Sequence, residues 1–226
     1  MLRRIVVTLI SLLAAGLLAA CSVFSASPTT APAATQGASG TPLVAGQIRL
    51  AFAPTGNEAR YRVREQLADV SLPSDAIGKT SAVSGSIVIN ADRAVANDQS
   101  KIVVDLTGLT SDRGQRDRFV QNNLLQTRTY PTAEFVPIGV TGLASPLPAS
   151  GDVTFQLTGD LTVHGTTHPV TWSVKATAAN GTDLTGTATT SFTFADFGIS
   201  QPRVPVVLSV EDTIKLELDF HLIKST

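Results

Sequence analysis

From residue 59 onward the chain alternates apolar and polar residues with a period of two, in runs enriched in Thr, Val, Ile and Phe. The run 152–164 shows this clearly, because Val153, Phe155 and Leu157 are separated by polar residues. Successive side chains of a β-strand point to opposite faces, so such a run has one buried and one wet face. The pattern predicts an all-β fold.

Turn residues divide this region into eight predicted strands. They are 59–67, 83–90, 100–107, 133–141, 152–164, 168–178, 184–194 and 212–223. Asn180-Gly181 between two of them is a typical hairpin turn. Eight antiparallel strands favour a closed barrel, whose interior holds side chains or one small ligand. A two-sheet sandwich is the alternative, and Leu43–Asn57 is an ambiguous lead-in strand.

One segment has helical rather than strand spacing. Residues 112–126 are predicted to form a short helix, with Asp112 as N-cap and Gln115 as its capping-box partner. Long loops are predicted at 68–82 and 195–211, and long loops at a barrel mouth are candidate lids.

The first residues are typical of an export signal. Arg3 and Arg4 precede an uncharged apolar run to Ala20, which predicts a signal peptide over residues 1–20. Leu18-Ala19-Ala20-Cys21 resembles a bacterial lipobox, which implies cleavage before Cys21 and acylation of that cysteine. The alternative is an ordinary secretory signal with an incidental cysteine. Acyl chains on Cys21 would anchor the protein to a membrane.

The domain organisation follows from these segments. Residues 21–57 comprise the lipidated cysteine and a Ser/Thr/Ala/Pro-rich linker, predicted to be a disordered tether because it has little apolar surface to bury. Residues 58–226 form the predicted barrel domain. The expected location is the outer face of the cytoplasmic membrane, the periplasm or the outer membrane.

Charge and motif content exclude several classes of function. Lys and Arg number 17 against 18 Asp and Glu, a formal charge of −1 that gives no nucleic-acid-binding surface. The chain has no Gly-x-Ser-x-Gly elbow, phosphate loop or dinucleotide fingerprint, so no enzyme activity and no cofactor are predicted. No metal site is predicted either, because strand parity argues against convergence of His164, His168 and His221.

Several segments, taken in order, resemble the YceI-like family of exported lipid- and polyisoprenoid-binding proteins. The helix segment Arg116–Val120 is followed by Tyr130-Pro131-Thr132-Ala133-Glu134-Phe135, similar to the family's Tyr-Pro-Thr-x-x-Phe motif. Residues 158–171 (TGDLTVHGTTHPVT) are similar to its Thr-Gly-x-Leu-Thr-x-His-Gly signature region. Asp196-Phe197-Gly198 falls where the family has the same tripeptide. The first strand, 59–65, departs from the family pattern.

The resemblance implies a lipocalin-like barrel with an elongated hydrophobic tunnel that takes an isoprenoid or fatty chain lengthwise. Independently, strand alternation predicts inward apolar rows that either hold such a chain or fill the interior themselves. The predicted lining residues are Tyr61, Val63, Ile87, Ile102, Val104, Phe119, Phe135, Phe155, Leu157, Leu161, Val170, Trp172, Phe192, Phe194, Leu216 and Leu218.

The arginines of the helix segment have two interpretations. Arg113 and Arg116 are candidate contacts for a lipid headgroup, phosphate or quinone oxygen at the barrel mouth. The alternative is a solvated helix face, because Asp112 and Asp117 lie among them.

The sequence therefore predicts a membrane-tethered carrier that binds a polyisoprenoid, isoprenoid quinone or other long-chain lipid, and a homodimer is a candidate assembly. A packed barrel or sandwich that serves as a surface interaction module, with no internal ligand, is the second hypothesis.

Overall fold

The computed structural model describes residues 42–144 and 147–225. Cys21, the predicted signal peptide and the linker up to residue 41 lie outside the described residues. The described part contains eleven strands and one short α-helix. The strands are β1 (Ile48–Phe52), β2 (Glu58–Leu67), β3 (Ser74–Thr80), β4 (Val83–Ile89), β5 (Lys101–Asp105), β6 (Thr110–Ser111), β7 (Thr132–Thr141), β8 (Gly151–Val163), β9 (Thr166–Ala179), β10 (Asp183–Thr193) and β11 (Val207–Ser225). Helix α1 is Gly114–Phe119.

Three pairs of short strands lie end to end and act as single long strands. β1 and β2 both pair with β11. In the next long strand, β4 pairs with β1 and β3 pairs with β2. In the third, β5 pairs with β4 and β6 pairs with β3. With β7 to β11 these make eight antiparallel strands in sequence order, and the pairing of β1 with β11 closes the ring. The predicted eight-stranded barrel is confirmed, and closure excludes the two-sheet sandwich.

The side chain of Asn57 makes hydrogen bonds at the interruption between β1 and β2. Pro54 and Gly56, which has φ +88°, interrupt the strand. The buried Asn57 amide donates to the carbonyl of Ala53 at 2.7 Å and accepts from the backbone N–H of His221 at 2.8 Å. These bonds replace ladder hydrogen bonds that the interruption removes, so β11 stays paired past the break.

The barrel interior is built by alternation. On β9 every second residue from Val170 to Ala178 is buried and the residues between them are exposed. On β8 every second residue from Phe155 to Val163 is also buried, and the residues between them are exposed or half-buried. These inward rows form one contiguous core inside the ring.

Two strands extend into regions predicted as loops. β3 lies inside the predicted loop 68–82, and β11 begins at Val207 within the predicted loop 195–211. The inward residues of β3 are the small residues Ala76, Gly78 and Thr80, and the ring of Tyr61 occupies the space that a Cβ at Gly78 would need. A strand that buries such residues shows no apolar alternation.

The helix is shorter than predicted, and its predicted cap is wrong. α1 continues into a single π-helical turn at Val120–Leu124. Its N-cap is Arg113, with no side-chain capping bond, so Asp112 and Gln115 form no capping box. Asp112 instead forms an ion pair with Arg116 across one turn, which draws its carboxylate away from the helix N-terminus.

Candidate functional site

The half of the barrel that contains β2 and the residues of α1 encloses a cavity of about 660 Å³. Alternate residues of β2 face it, from Ala59 to Leu67, because successive strand residues point to opposite faces. Phe119 and the π-helical turn contribute from the helix, and Ile199 and Val204 from the segment before β11. The wall is predominantly apolar, as in lipid-binding cavities.

Most of the predicted lining residues face this cavity. They are Tyr61, Val63, Ile102, Val104, Phe119, Phe135, Leu157, Trp172, Phe192, Phe194, Leu216 and Leu218. Four others do not line it: Ile87 and Phe155 border a separate small void, and Leu161 and Val170 are buried in the core.

The other half of the barrel is packed. The small void there measures about 20 Å³, which is room for about one water molecule. Leu157 borders both spaces, so the packed half begins at this residue. The large cavity contradicts a fully packed barrel for the half that contains β2.

An apolar rim lies beside the cavity. Val206 lines it and is 61% exposed, Leu208 is 69% exposed, and Leu72 on the facing loop is 72% exposed. The backbone N–H of Ala68 donates to the carbonyl of Val206 at 3.0 Å, which joins the two segments. A chain entering the cavity at this rim would pass apolar surface on both segments.

A buried ion pair joins α1 to the barrel wall. Nη2 of Arg116 donates to Oε1 of Glu65 at 2.5 Å, and the two side chains are only 12% and 8% exposed. Burial lowers the pKa of Arg116, but the hydrogen bonds and charges of Glu65 and Asp112 raise it further, so the pKa lies above its ordinary value. Arg113 also lines the cavity, 3.6 Å from Asp69. The solvated-face interpretation is therefore wrong for Arg116.

Tyr61 places a phenol in the cavity wall close to this pair. Burial is the main cause that raises the pKa of Tyr61 to about 12, and the charge of Arg116 opposes the rise. The phenol therefore stays protonated at neutral pH. Its hydroxyl has no hydrogen-bond partner among the described residues, so it is free to bind a polar atom in the cavity.

Trp172 is the single tryptophan of the chain and lines the cavity. Its ring packs edge to face against Phe135, with centroids 6.0 Å apart. The indole is buried, and its Nε1 has no hydrogen-bond partner within the described part of the chain. The fluorescence of this residue reports directly on the cavity.

The three histidines lie apart and serve local contacts. His164 packs against Tyr130 in the turn after β8, and His168 lies 3.7 Å from Asp196. His221 lies 2.8 Å from Asp183. No group of three metal-ligating side chains occurs in residues 42–144 and 147–225. Asp196 binds the backbone N–H of Thr193, as a turn residue does.

The sequence did not single out several residues of the cavity. Some come from the loops and the π-helical turn, where no strand period marks an inward position; they are Leu106, Leu109, Val120, Leu124 and Leu125. The other lining residues that the sequence did not single out include Ala188, Ile199, Val210 and Ile214. The alternation of β2 could have identified Glu65 as a lining residue, because Glu65 shares the parity of Tyr61 and Val63.

No helix in the described ranges is both long and apolar enough to cross a membrane. Cys21, the predicted lipid attachment site, lies outside those ranges.

Comparisons with known proteins agree with this architecture. The model of the YceI-like domain family matches residues 51–222. A UPF0312 protein of Pseudomonas putida is 39% identical over 135 residues, which are 55% of this chain and 63% of that protein. A UPF0312 protein of Shewanella denitrificans is 28% identical over 149 residues, covering 62% and 73% of the two chains. The match thus spans less than two thirds of the Pseudomonas relative.

Solved structures share the fold at low sequence identity. A polyisoprenoid binding domain from Saccharophagus degradans has a TM-score of 0.60 at 13% identity, covering 79% of this chain and 98% of its own. Burkholderia cenocepacia BcnA has a TM-score of 0.52 at 18% identity, covering 75% and 96%. From the family model and the closed barrel together, the chain belongs to the YceI-like family.

Proposed function

We propose that this protein binds one long apolar chain, of a polyisoprenoid, an isoprenoid quinone or another long-chain lipid, inside the hollow half of its barrel. The observation that carries the proposal is the predominantly apolar cavity of about 660 Å³. This volume lies within the roughly 300–1,000 Å³ that pockets for small molecules enclose.

Apolar burial supplies the driving force. Removing apolar surface from water contributes about 25 cal/mol per Å², so a long hydrocarbon binds well with few polar contacts. The similarity to the Saccharophagus degradans domain, a polyisoprenoid binding domain by name, supports an isoprenoid as one class of ligand.

The protein holds its ligand without covalent chemistry in this proposal. The described cavity wall contains no serine, cysteine or histidine, so the Ser–His and Cys–His pairs of hydrolytic sites have no counterpart there. The ligand would be carried, stored or sequestered unchanged.

Membrane tethering is a separate part of the proposal. The lipobox-like Leu18-Ala19-Ala20-Cys21 supports acylation at Cys21 and anchoring to an envelope membrane. The tether would be the segment that precedes β1, because β1 itself belongs to the barrel. Such an anchor would keep the barrel near the lipids that it binds.

Filling the cavity tests the proposal. Ala188 is buried on β10 and lines the cavity, so Ala188→Phe projects a ring into the empty space. We expect geranylgeraniol to change Trp172 fluorescence saturably in the full chain, and Ala188→Phe to weaken its binding at least tenfold.

Thr185→Phe is the matched control, since Thr185 lies exposed on the same strand with outward parity. It should bind as the unaltered protein does. Equal affinity of the Ala188→Phe variant, correctly folded by circular dichroism, would place the ligand elsewhere and contradict the proposal.

A further inference from the structure

The charges on the cavity wall cancel. Among the described lining residues, Arg60 and Glu217 point to the outer face by strand parity. The other charged lining residues are two arginines and two carboxylates, so the wall has no net formal charge; they are Arg113, Arg116, Glu65 and Asp69. No lysine or histidine is among them. A wall of this kind has no net attraction for an anion, although arginines are the side chains that usually recognise phosphate.

Each of these arginines already has a carboxylate partner. Arg113 lies 3.6 Å from Asp69. Arg116 is paired most completely, because Glu65 takes one end of its guanidinium and Asp112 the other.

Glu65 is the unusual member of this set. It occupies an inward position on β2, where the neighbouring inward residues are Val63 and Leu67, and its side chain is only 8% exposed. An inward carboxylate in an apolar barrel carries a desolvation cost, and Arg116 offsets it. If Arg116 turned to an anionic ligand, Glu65 would be left as a buried charge without a partner.

The polar groups that remain free in the wall are uncharged. The hydroxyl of Tyr61 and the side-chain amide of Gln115 both line the cavity, and neither has a hydrogen-bond partner among the described residues. Both can donate to or accept from a neutral oxygen such as an alcohol or a carbonyl.

We propose that Glu65 determines ligand specificity: by neutralising Arg116, it makes the cavity select lipids with an uncharged polar head over those with a phosphate or carboxylate head. The inference rests on the proposed lipid-binding function. A phosphate placed near Arg116 meets the charge of Glu65 as well, and in a water-poor cavity that repulsion is weakly screened.

The test compares two probes with the same chain and different heads. Geranylgeraniol and geranylgeranyl monophosphate are titrated into the full chain at fixed ionic strength, with Trp172 fluorescence as readout. We expect the alcohol to bind at least tenfold more tightly than the phosphate. Glu65→Gln removes the neutralising charge, so the preference should shrink at least fivefold through stronger phosphate binding.

Two further variants complete the design. Asp112→Asn removes the charge of the other partner of Arg116. The side chain of Asp112 is 71% exposed, so we expect the fold to be retained and phosphate affinity to rise about twofold to threefold. Glu58→Gln makes the same change as Glu65→Gln on the same strand, where Glu58 pairs with Arg60 and Lys79, and should leave the preference unchanged.

The inference is overturned if the unaltered protein binds the phosphate as tightly as the alcohol. It is overturned equally if neither Glu65→Gln nor Asp112→Asn raises phosphate affinity relative to alcohol affinity. If the unaltered protein takes up neither probe, the proposed function itself fails, and this result is distinct from a lost preference.

Discussion

Gly159 shows how one residue without a side chain shapes the cavity wall. It is buried at an inward position of β8, and a Cβ there would collide with the carbonyl oxygen of Val136 and lie 2.7 Å from Cζ of Phe135. The ring of Phe135 therefore crosses β8 at this point and forms part of the wall. Gly78 likewise leaves room for an aromatic ring, because the ring of Tyr61 occupies the space that a side chain at Gly78 would need.

We predict that Gly159→Ala lowers the free energy of unfolding by about 1–3 kcal/mol, because backbone atoms cannot rotate away from the added methyl. Urea denaturation followed by Trp172 fluorescence measures it. Gly108→Ala is the control, since no heavy atom lies within 4 Å of a Cβ at Gly108, and its effect should stay within about 0.5 kcal/mol. An equal loss in both variants would contradict the steric argument.

At the residue scale, alternation alone predicted the inward parity of Tyr61, Phe135 and Trp172, and the cavity wall includes all three. It could not predict which glycines make room for which rings. Gly159 and Gly78 matter through contacts with neighbouring strands, and a single sequence does not show those contacts.

Among the elements, β2 joins β3 and β11 through charges on the outer face of the barrel. Arg60 bonds Asp219 at 2.6 Å, Arg62 bonds Asp75 at 2.9 Å, and both lie 3.4 Å from Glu217. The hydrogen bond from Arg60 is the main cause that holds the pKa of Asp219 below its ordinary value of 3.8. The pKa values of Asp75 and Glu217 are lowered by their basic partners in the same way.

These shifts set the sign of a pH dependence. A carboxyl with a lowered pKa stabilises the folded state above its unfolded pKa, and that stabilisation is lost as the pH falls through the folded value. We predict that Asp219→Asn lowers the urea midpoint at pH 7, and that its difference from the unaltered protein shrinks between pH 4 and pH 2.

Urea titrations of both proteins across this range give the measurement. Asp160→Asn on β8 serves as control, because Asp160 has no ion-pair partner among the described residues, and it should change the midpoint little at any pH. A constant difference between Asp219→Asn and the unaltered protein down to pH 2 would contradict the assignment.

Predictability also differed between elements. β8 and β9 were predicted within two residues because long runs of mostly apolar inward residues alternate with mostly polar outward residues. β3 was missed because its inward face carries Ala76, Gly78 and Thr80, and α1 lost its predicted cap because Asp112 binds Arg116. At β3 a contact with the ring of Tyr61 on the neighbouring strand accompanies the small inward residues, whereas at α1 a local i,i+4 ion pair competes with the cap.

At the scale of the whole molecule, the barrel is hollow in one half and packed in the other. Phe155 and Ile87 border a void of about 20 Å³, whereas Phe135 and Trp172 border one of about 660 Å³. All four are inward aromatic or aliphatic residues in the sequence pattern. Which half is hollow depends on the summed volume of side chains from eight strands, and strand parity cannot supply that sum.

The central claim is that the hollow half holds a long-chain lipid. Native mass spectrometry of the full chain, purified from an exporting bacterial host and followed by organic extraction, tests it most directly. The account predicts one bound molecule of isoprenoid or acyl mass per chain, released intact by the solvent. Protein at its bare mass that also fails to take up added polyprenol would contradict the account.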